Sequence, residues 1–174
     1  MTKQNQQAGS ESFKREVRVS IVLDSVNHMR SAKEFYGPAA EPDWEGFLRD
    51  AKVAGAVTAA VAVVNNGARP ALWNRFEHFG YTVSRCTDAP DCDELVIAEL
   101  VRTCHRADVV VIGGGDHKYK DVATVLRQIS KRVIVAAVRG SVSRDLLAAS
   151  DQFVDMPVIF PTELSAEENR ICAA

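Results

Sequence analysis

Three aspartates stand where an apolar run gives way to polar sequence or where a helical stretch begins: Asp24, Asp93 and Asp116. Asn27 follows the first of them by three residues. Carboxylates held a few ångströms apart are unfavourable unless they take up protons or bind a cation. Hard divalent cations such as Mg²⁺ and Mn²⁺ prefer such oxygen ligands and recruit the phosphate oxygens of a substrate. If the fold brings these residues together, we expect a Mg²⁺ or Mn²⁺ site that hydrolyses phosphodiesters.

Each of these polar residues also has a purely structural interpretation. Asp24, Asn27, Asp93 and Asp116 all precede or begin a helical stretch, where Asp and Asn side chains cap unpaired backbone N–H groups. Glu99 is a weaker metal-ligand candidate, because at about 100° per residue it lies well around the helix from Asp93. The sequence leaves both interpretations open.

Basic side chains accompany two of these positions. His117 and Lys118 directly follow Asp116, and Arg139 and Arg144 flank the end of a later apolar run. On the same face as the acids, they would bind nucleic-acid phosphates and position the backbone without reading its sequence. Scattered charge that only keeps the surface hydrated is the equally weighted alternative.

Apolar runs that read as strands alternate with amphipathic stretches that read as helices. The predicted strands span 17–23, 56–64, 81–86, 108–112, 132–138 and 152–155. The predicted helices span 43–54, 69–79, 93–107, 119–130 and 143–149. Unbroken apolar strands separated by helices predict a three-layer α/β/α sandwich with a mainly parallel sheet of five to six strands. In such sheets the functional crevice lies at the carboxyl ends of the strands.

Length and composition limit the classes of protein to consider. The 174 residues, 47% hydrophobic and 25% charged, are typical of one soluble globular domain. The formal net charge of −2 means that binding a polyanion requires a local basic patch. No apolar run approaches the ~20 residues of a membrane span, no secretory signal opens the chain, and the cysteines form no CxxC pair. We therefore expect a cytoplasmic protein with reduced thiols and no membrane partner, its domain at 16–160, a disordered tail at 1–15 and a C-terminal tail at 161–174.

Four segments carry, in order, a recognisable set of motifs. They are IVLDSVN at 21–27, DELVIAE at 93–99, VVVIGGGDHKY at 109–119, and RVIVAAV at 132–138 followed by SRDLLAASDQFVDM at 143–156. Together they resemble the NYN domains, a PIN-like group of metal-dependent ribonucleases. The resemblance implies a PIN-like fold in which Asp24, Asp93 and Asp116 hold the metal and Asn27 holds the site or the substrate.

Two positions depart from the NYN pattern. Gly114 stands where the family has a small hydroxyl residue, and Lys118 stands where it has a second aspartate, followed by Tyr119 in place of phenylalanine. Asp121, about one turn further along, could supply the missing acid, as in some animal members. Otherwise Lys118 removes a carboxylate and adds a cation, which weakens the binding of a second metal.

The sequence therefore predicts a metal-dependent endoribonuclease that hydrolyses single-stranded RNA at an acidic site. A catalytically degenerate RNA- or nucleotide-binding module of the same fold is the alternative, which Lys118 favours. A protein-interaction domain, whose acids are only helix caps, is the third possibility. A homodimer also stays open, because apolar residues of 44–48 and 157–164 could remain uncovered.

Overall fold

A computed structural model describes residues 15–87 and 92–161, so most of both predicted tails lies outside the described residues. At its centre is a parallel six-stranded sheet with the order β4-β3-β1-β5-β6-β7. A separate antiparallel pair joins β2 to β8. The strands are β1 (Arg18–Asp24), β2 (Glu41–Pro42), β3 (Ala56–Asn65), β4 (Thr82–Cys86), β5 (Val109–Gly113), β6 (Arg132–Ala137), β7 (Gln152–Asp155) and β8 (Val158–Ile159).

Helices cover both faces of the sheet and confirm the predicted three-layer sandwich. Successive strand residues point to opposite faces, so Val22 joins one apolar cluster whereas Ile21 and Leu23 join the other. The first three helices pack on the Ile21 face, and the last three pack on the Val22 face. The helices are α1 (Ser25–Tyr36), α2 (Trp44–Ala54), α3 (Pro70–Phe79), α4 (Asp93–Cys104), α5 (Lys120–Gln128) and α6 (Arg144–Ala148), with a 3₁₀ turn at His117–Tyr119.

Aromatic packing fixes α2 and α3 on their face of the sheet. Trp44 and Phe76 pack with their rings tilted by 48° and their centroids 4.6 Å apart, and Tyr81 meets Phe76 edge-on at 5.6 Å. The buried Tyr81 hydroxyl donates to the Trp44 carbonyl oxygen at 2.9 Å. In the described residues, none of the helices is both long enough and apolar enough to cross a bilayer.

Helix α1 is the element that the apolar pattern does not predict. Its inward face consists of small and polar residues, so the stretch shows little apolar periodicity even though these side chains are buried. The two-residue strands β2 and β8 are too short to produce a pattern. Helix α4 ends at Cys104 rather than at 107, with His105 as its C-cap.

The order of the strands determines where the functional crevice lies. From β1 the chain moves outward to β3 and β4, then crosses to the other side of β1 and continues through β5, β6 and β7. The strand order therefore reverses between β1 and β5, where Leu23 pairs with Gly113. Open α/β sheets bind ligands at such a switch point, outside the carboxyl ends of the strands. Asp24 is the last residue of β1, and Asp116 lies three residues beyond the end of β5.

Candidate functional site

Asp24 is fixed at the end of β1 by two donors. One carboxylate oxygen accepts from the Asn27 backbone N–H at 2.9 Å, which caps α1, and the other lies 2.6 Å from the Tyr119 hydroxyl. The alternative interpretation of Asn27 as a helix cap is wrong, because Asp24 is the N-cap and Asn27 lies within the helix. The Asp24 carboxylate is therefore both a structural cap and a buried charge at the switch point.

Tyr119 connects two of the predicted aspartates. Its hydroxyl lies 2.6 Å from Asp24 Oδ2 and 3.0 Å from Asp93 Oδ1, and the residue is fully buried. Burial, reinforced by the Asp24 and Asp93 carboxylates, raises the pKa of Tyr119 far above its ordinary value. The hydroxyl therefore keeps its proton and holds the two carboxylates close to one point.

Asp93 begins α4 and forms an ion pair with Lys118, whose Nζ contacts Asp93 Oδ2. The helix N-cap is Cys92, so Asp93 does not have the capping role that the sequence left open for it. Asp116 does cap the 3₁₀ turn, where one of its oxygens accepts from the Lys118 backbone N–H at 3.1 Å. Lys118 thus contacts two of the three aspartates, through its side chain and its backbone.

Asn27 joins α1 to the loop after β5. Its side-chain oxygen accepts from the Gly115 backbone N–H at 3.1 Å, while Gly114 N–H donates to the Ala136 carbonyl at 2.9 Å. A Cβ on Gly115 would lie 2.5 Å from the Ser141 carbonyl oxygen. The glycine run therefore serves the close approach of backbone segments, and these two N–H groups are already paired within the protein.

The three aspartates line a small cavity of about 110 Å³. A larger cavity of about 400 Å³ adjoins it, and Asn27, Arg30 and Asp116 line both. The small cavity, which we call the acidic cavity, is lined by Asp24, Val26, Asn27, Arg30, Cys92, Asp93, Asp116 and Lys118. The fold therefore brings Asp24, Asn27, Asp93 and Asp116 to one place, as the sequence predicts.

Comparison with known proteins now identifies the family. A family model for the NYN domain matches residues 5–159. The chain belongs to the NYN domain family. A solved structure of a protein of unknown function from Vibrio parahaemolyticus has the same fold, with a TM-score of 0.73 and 21% sequence identity over 83% of this chain and 95% of that one. None of the curated proteins matches the chain.

Membership of the NYN family confirms the resemblance found in the sequence and implies a PIN-like nuclease fold. Nucleases of this kind generally use divalent metals, so the acidic cavity of this NYN domain is the place to test for a fit. The carboxylates are of the chemical type that Mg²⁺ and Mn²⁺ bind. Within residues 15–87 and 92–161, however, no group of three or more His, Cys, Asp or Glu side chains is arranged to hold a metal ion.

Two of these carboxylates are already paired within the protein. Asp24 accepts from the Asn27 backbone N–H, Asp93 pairs with Lys118, and the single Tyr119 hydroxyl proton is shared between the two carboxylates. The Lys118 ammonium is the donor that a bound cation would have to displace, because its side chain is 45% exposed and can swing outward. The donor set of this NYN domain thus fits a hard cation in kind, with Lys118 as its competitor.

The two weaker metal candidates lie elsewhere. The Glu99 carboxylate accepts from the Ser84 hydroxyl at 2.9 Å and pairs with Arg102 at 2.6 Å. Asp121 is exposed in the first turn of α5. Neither residue lines the acidic cavity or the larger cavity.

Two of the four predicted phosphate-binding residues line the cavities, and two do not. Lys118 lines the acidic cavity and His117 lines the larger one, where its Nδ1 is 3.0 Å from Asp116. Arg139 pairs with Asp155 at 2.8 Å on the surface, and Arg144 is exposed at the start of α6. Both arginines lie outside the linings of the two cavities.

Arg30 and Tyr119 belong to the site although the sequence predicts no role there for either. Arg30 lines both cavities, and its guanidinium forms no ion pair with any part of the chain that the structure describes. It lies three residues after Asn27, a spacing that puts both on one face of a helix, but this signal requires that α1 first be predicted. Tyr119 reads as an ordinary core aromatic, because its hydroxyl contacts depend on the tertiary fold.

Proposed function

We propose that this NYN domain binds single-stranded RNA across the two adjoining cavities and hydrolyses its phosphodiester bonds at Asp24, Asp93 and Asp116. The observation that carries the proposal is the convergence of three carboxylates, from β1, α4 and the loop after β5, on one cavity at the switch point of the sheet. An arginine without an ion-pair partner in the described residues lines the same cavity, as binding of a phosphate would require.

The residues of the chain have distinct roles in this reaction. Asp24, Asp93 and Asp116 would hold Mg²⁺ or Mn²⁺, which when bound supplies an activated water and positive charge at the phosphate. The Asn27 backbone and the Tyr119 hydroxyl orient the Asp24 carboxylate. Preorganised ligands of this kind do not have to rearrange during the reaction.

The basic residues position the RNA. Arg30 can present its planar fork of donors to a phosphate oxygen pair. Lys118 exchanges its ion pair with Asp93 for one with the phosphate, and His117 contacts the RNA in the larger cavity. Arg139 and Arg144 bind flanking phosphates from the loop and helix after β6, and all of these are positioning contacts. We place this activity in the cytoplasm and leave open assembly into a homodimer.

A second candidate function is binding of RNA without cleavage. The ion pair between Lys118 and Asp93 favours it, because a resident ammonium already supplies a positive charge to the acidic cavity. RNA phosphates would then contact Arg30 and Lys118 directly, with no hydrolysis. The two candidates share the RNA-binding surface and differ only in whether the bond is broken.

One experiment tests both candidates. A labelled single-stranded RNA is incubated with Mg²⁺ or Mn²⁺ and with the parent protein, Asp24→Asn or Asp116→Asn. Asp145→Asn is the matched control, because Asp145 is an exposed aspartate that lines neither cavity. We expect both site variants to lose cleavage by at least 100-fold, on the scale of losing one electrostatic group from an active site, while still binding RNA, and the control to cleave normally.

The outcomes separate the candidates. Cleavage that persists undiminished in both site variants would show that the acidic cavity is not the active site. Binding without cleavage by the parent protein, at any metal concentration, would support the second candidate. Thermal unfolding of each variant shows whether a loss of activity reflects unfolding, because Asp24 is also a helix cap.

A further inference from the structure

Phe35, near the end of α1, is a partly exposed aromatic side chain. Its relative exposure is 48%, and it lines the larger cavity. The ring rests on the loop after β6, where a Cβ on Gly140 would come within 3.0 Å of Phe35 Cε1. Gly140 also has a φ of +90°, which other residues rarely adopt. The loop therefore supports the ring and leaves much of its surface available to a ligand.

The other side chains of the larger cavity are mainly polar. Arg30, on the same helix, lines both cavities and forms no ion pair with the described residues. Glu34, Ser141 and Ser143 are among the other residues that line it. A flat apolar ring and an available guanidinium that line the same cavity match the two halves of a nucleotide, an aromatic base and a phosphate.

We propose that the larger cavity binds one nucleotide of a single-stranded RNA, with its base stacked on Phe35 and its phosphate on Arg30. This inference rests on the proposed function and adds to it the position of the nucleotide next to the acidic cavity. A cavity of about 400 Å³ lies within the usual size range of small-ligand sites. Because a paired base has no free face inside a duplex, stacking on Phe35 selects single strands. It tolerates every base, since each has an aromatic face.

Phe35→Ala tests the base contact. Binding of a fluorescein-labelled single-stranded oligoribonucleotide is measured by anisotropy in EDTA, where metal-dependent cleavage is prevented, and again with Mg²⁺ on ice. We expect binding about 5- to 100-fold weaker than the parent, from the loss of one stacked base. Phe35→Trp should restore it to within about twofold, because indole stacks as well as phenyl. Phe160→Ala is the matched control, an aromatic residue 58% exposed that lines neither cavity, and it should bind like the parent.

Salt dependence separates the phosphate contact from the base contact. Each lost phosphate contact lowers the slope of log K against log salt by about 0.7 for single strands. We expect Arg30→Gln to lower the slope by that amount and Phe35→Ala to leave it unchanged. A duplex of the same sequence should show no difference between the parent and Phe35→Ala.

Two results would overturn the inference, and they differ in what they mean for the function. If the parent binds single-stranded RNA and Phe35→Ala binds equally well, the base does not stack there, and the proposed function stands. If the parent binds no RNA with or without Mg²⁺, both the proposed function and this inference are wrong.

Discussion

Replacing Lys118 with methionine should strengthen the binding of Mn²⁺ to the acidic cavity. The change keeps an unbranched side chain, one atom shorter, and removes the ammonium that contacts Asp93. Two unit charges 4 Å apart interact by roughly 4 kcal/mol at an effective dielectric constant of 20. Because the Lys118 side chain is 45% exposed, solvent screening reduces the value of the pair to about 1 kcal/mol. A cation that no longer displaces this pair should bind about 5- to 10-fold more tightly.

Titration calorimetry with Mn²⁺ measures the affinity directly, and the rise of the unfolding temperature with Mn²⁺ provides an independent reading. Lys120→Met is the matched control, because Lys120 is exposed, lies a long 3.9 Å from its ion-pair partner Asp145 and lines neither cavity. Lys118→Asp, which restores the acid of the family pattern, should bind Mn²⁺ more tightly still. Equal Mn²⁺ affinities in the parent, Lys118→Met and Lys118→Asp would refute the reasoning that Lys118 competes with the metal.

Three further predictions concern groups around the site. Burial lowers the pKa of His28 below its ordinary 6.5. Below about pH 6.5 this histidine therefore binds a proton when the protein unfolds. The contribution of His28 to the free energy of unfolding is full above about pH 6.5 and falls below that pH by at most ~1.4 kcal/mol per pH unit. In chemical denaturation, the plot of this free energy against pH should be flatter for His28→Gln but not for the exposed His78→Gln. Burial, with a contribution from Cys86, raises the pKa of Cys92 to about 12, so peptide mapping after iodoacetamide treatment at pH 8 should find Cys92 unmodified in the folded protein; rapid labelling would contradict this. Gly115→Ala should lower stability by about 1–3 kcal/mol in denaturant titrations, because its Cβ meets backbone at 2.5 Å, and an unchanged midpoint would contradict the close approach.

The sheet could be predicted from the sequence because its central strands are buried on both faces. Val109–Gly113, for example, is buried along its whole length and reads as an unbroken apolar run. Helix α1 could not be predicted in the same way, since the residues that it buries include Ser25, Asn27 and His28. Its inward face is polar because Ser25 and His28 hydrogen-bond to backbone carbonyls of the sheet and Asn27 accepts from the loop after β5.

The candidate site shows a similar division. The three aspartates follow from the rule that parallel strands end at one edge, and the cavity that they line agrees with it. The contacts of Tyr119 and the ion pair of Lys118 depend on how a short 3₁₀ turn directs two adjacent side chains, which residue spacing does not reveal. Arg30 was not predicted because it belongs to α1, and the polar inward face of this helix gives the sequence little apolar periodicity.

The double role of Asp24 bears on how such a domain could lose catalysis over evolutionary time. Replacing Asp24 would remove a helix cap and the nearer of the two acceptors of the buried Tyr119 hydroxyl, so a lineage that discarded this acid would first have to survive a less stable protein. The position of Lys118 carries no such burden, because its side chain reaches the solvent. A change from RNA cleavage to RNA binding is therefore easiest at position 118. A lysine at that position, beside an intact Asp24, is what the first step of such a change would leave.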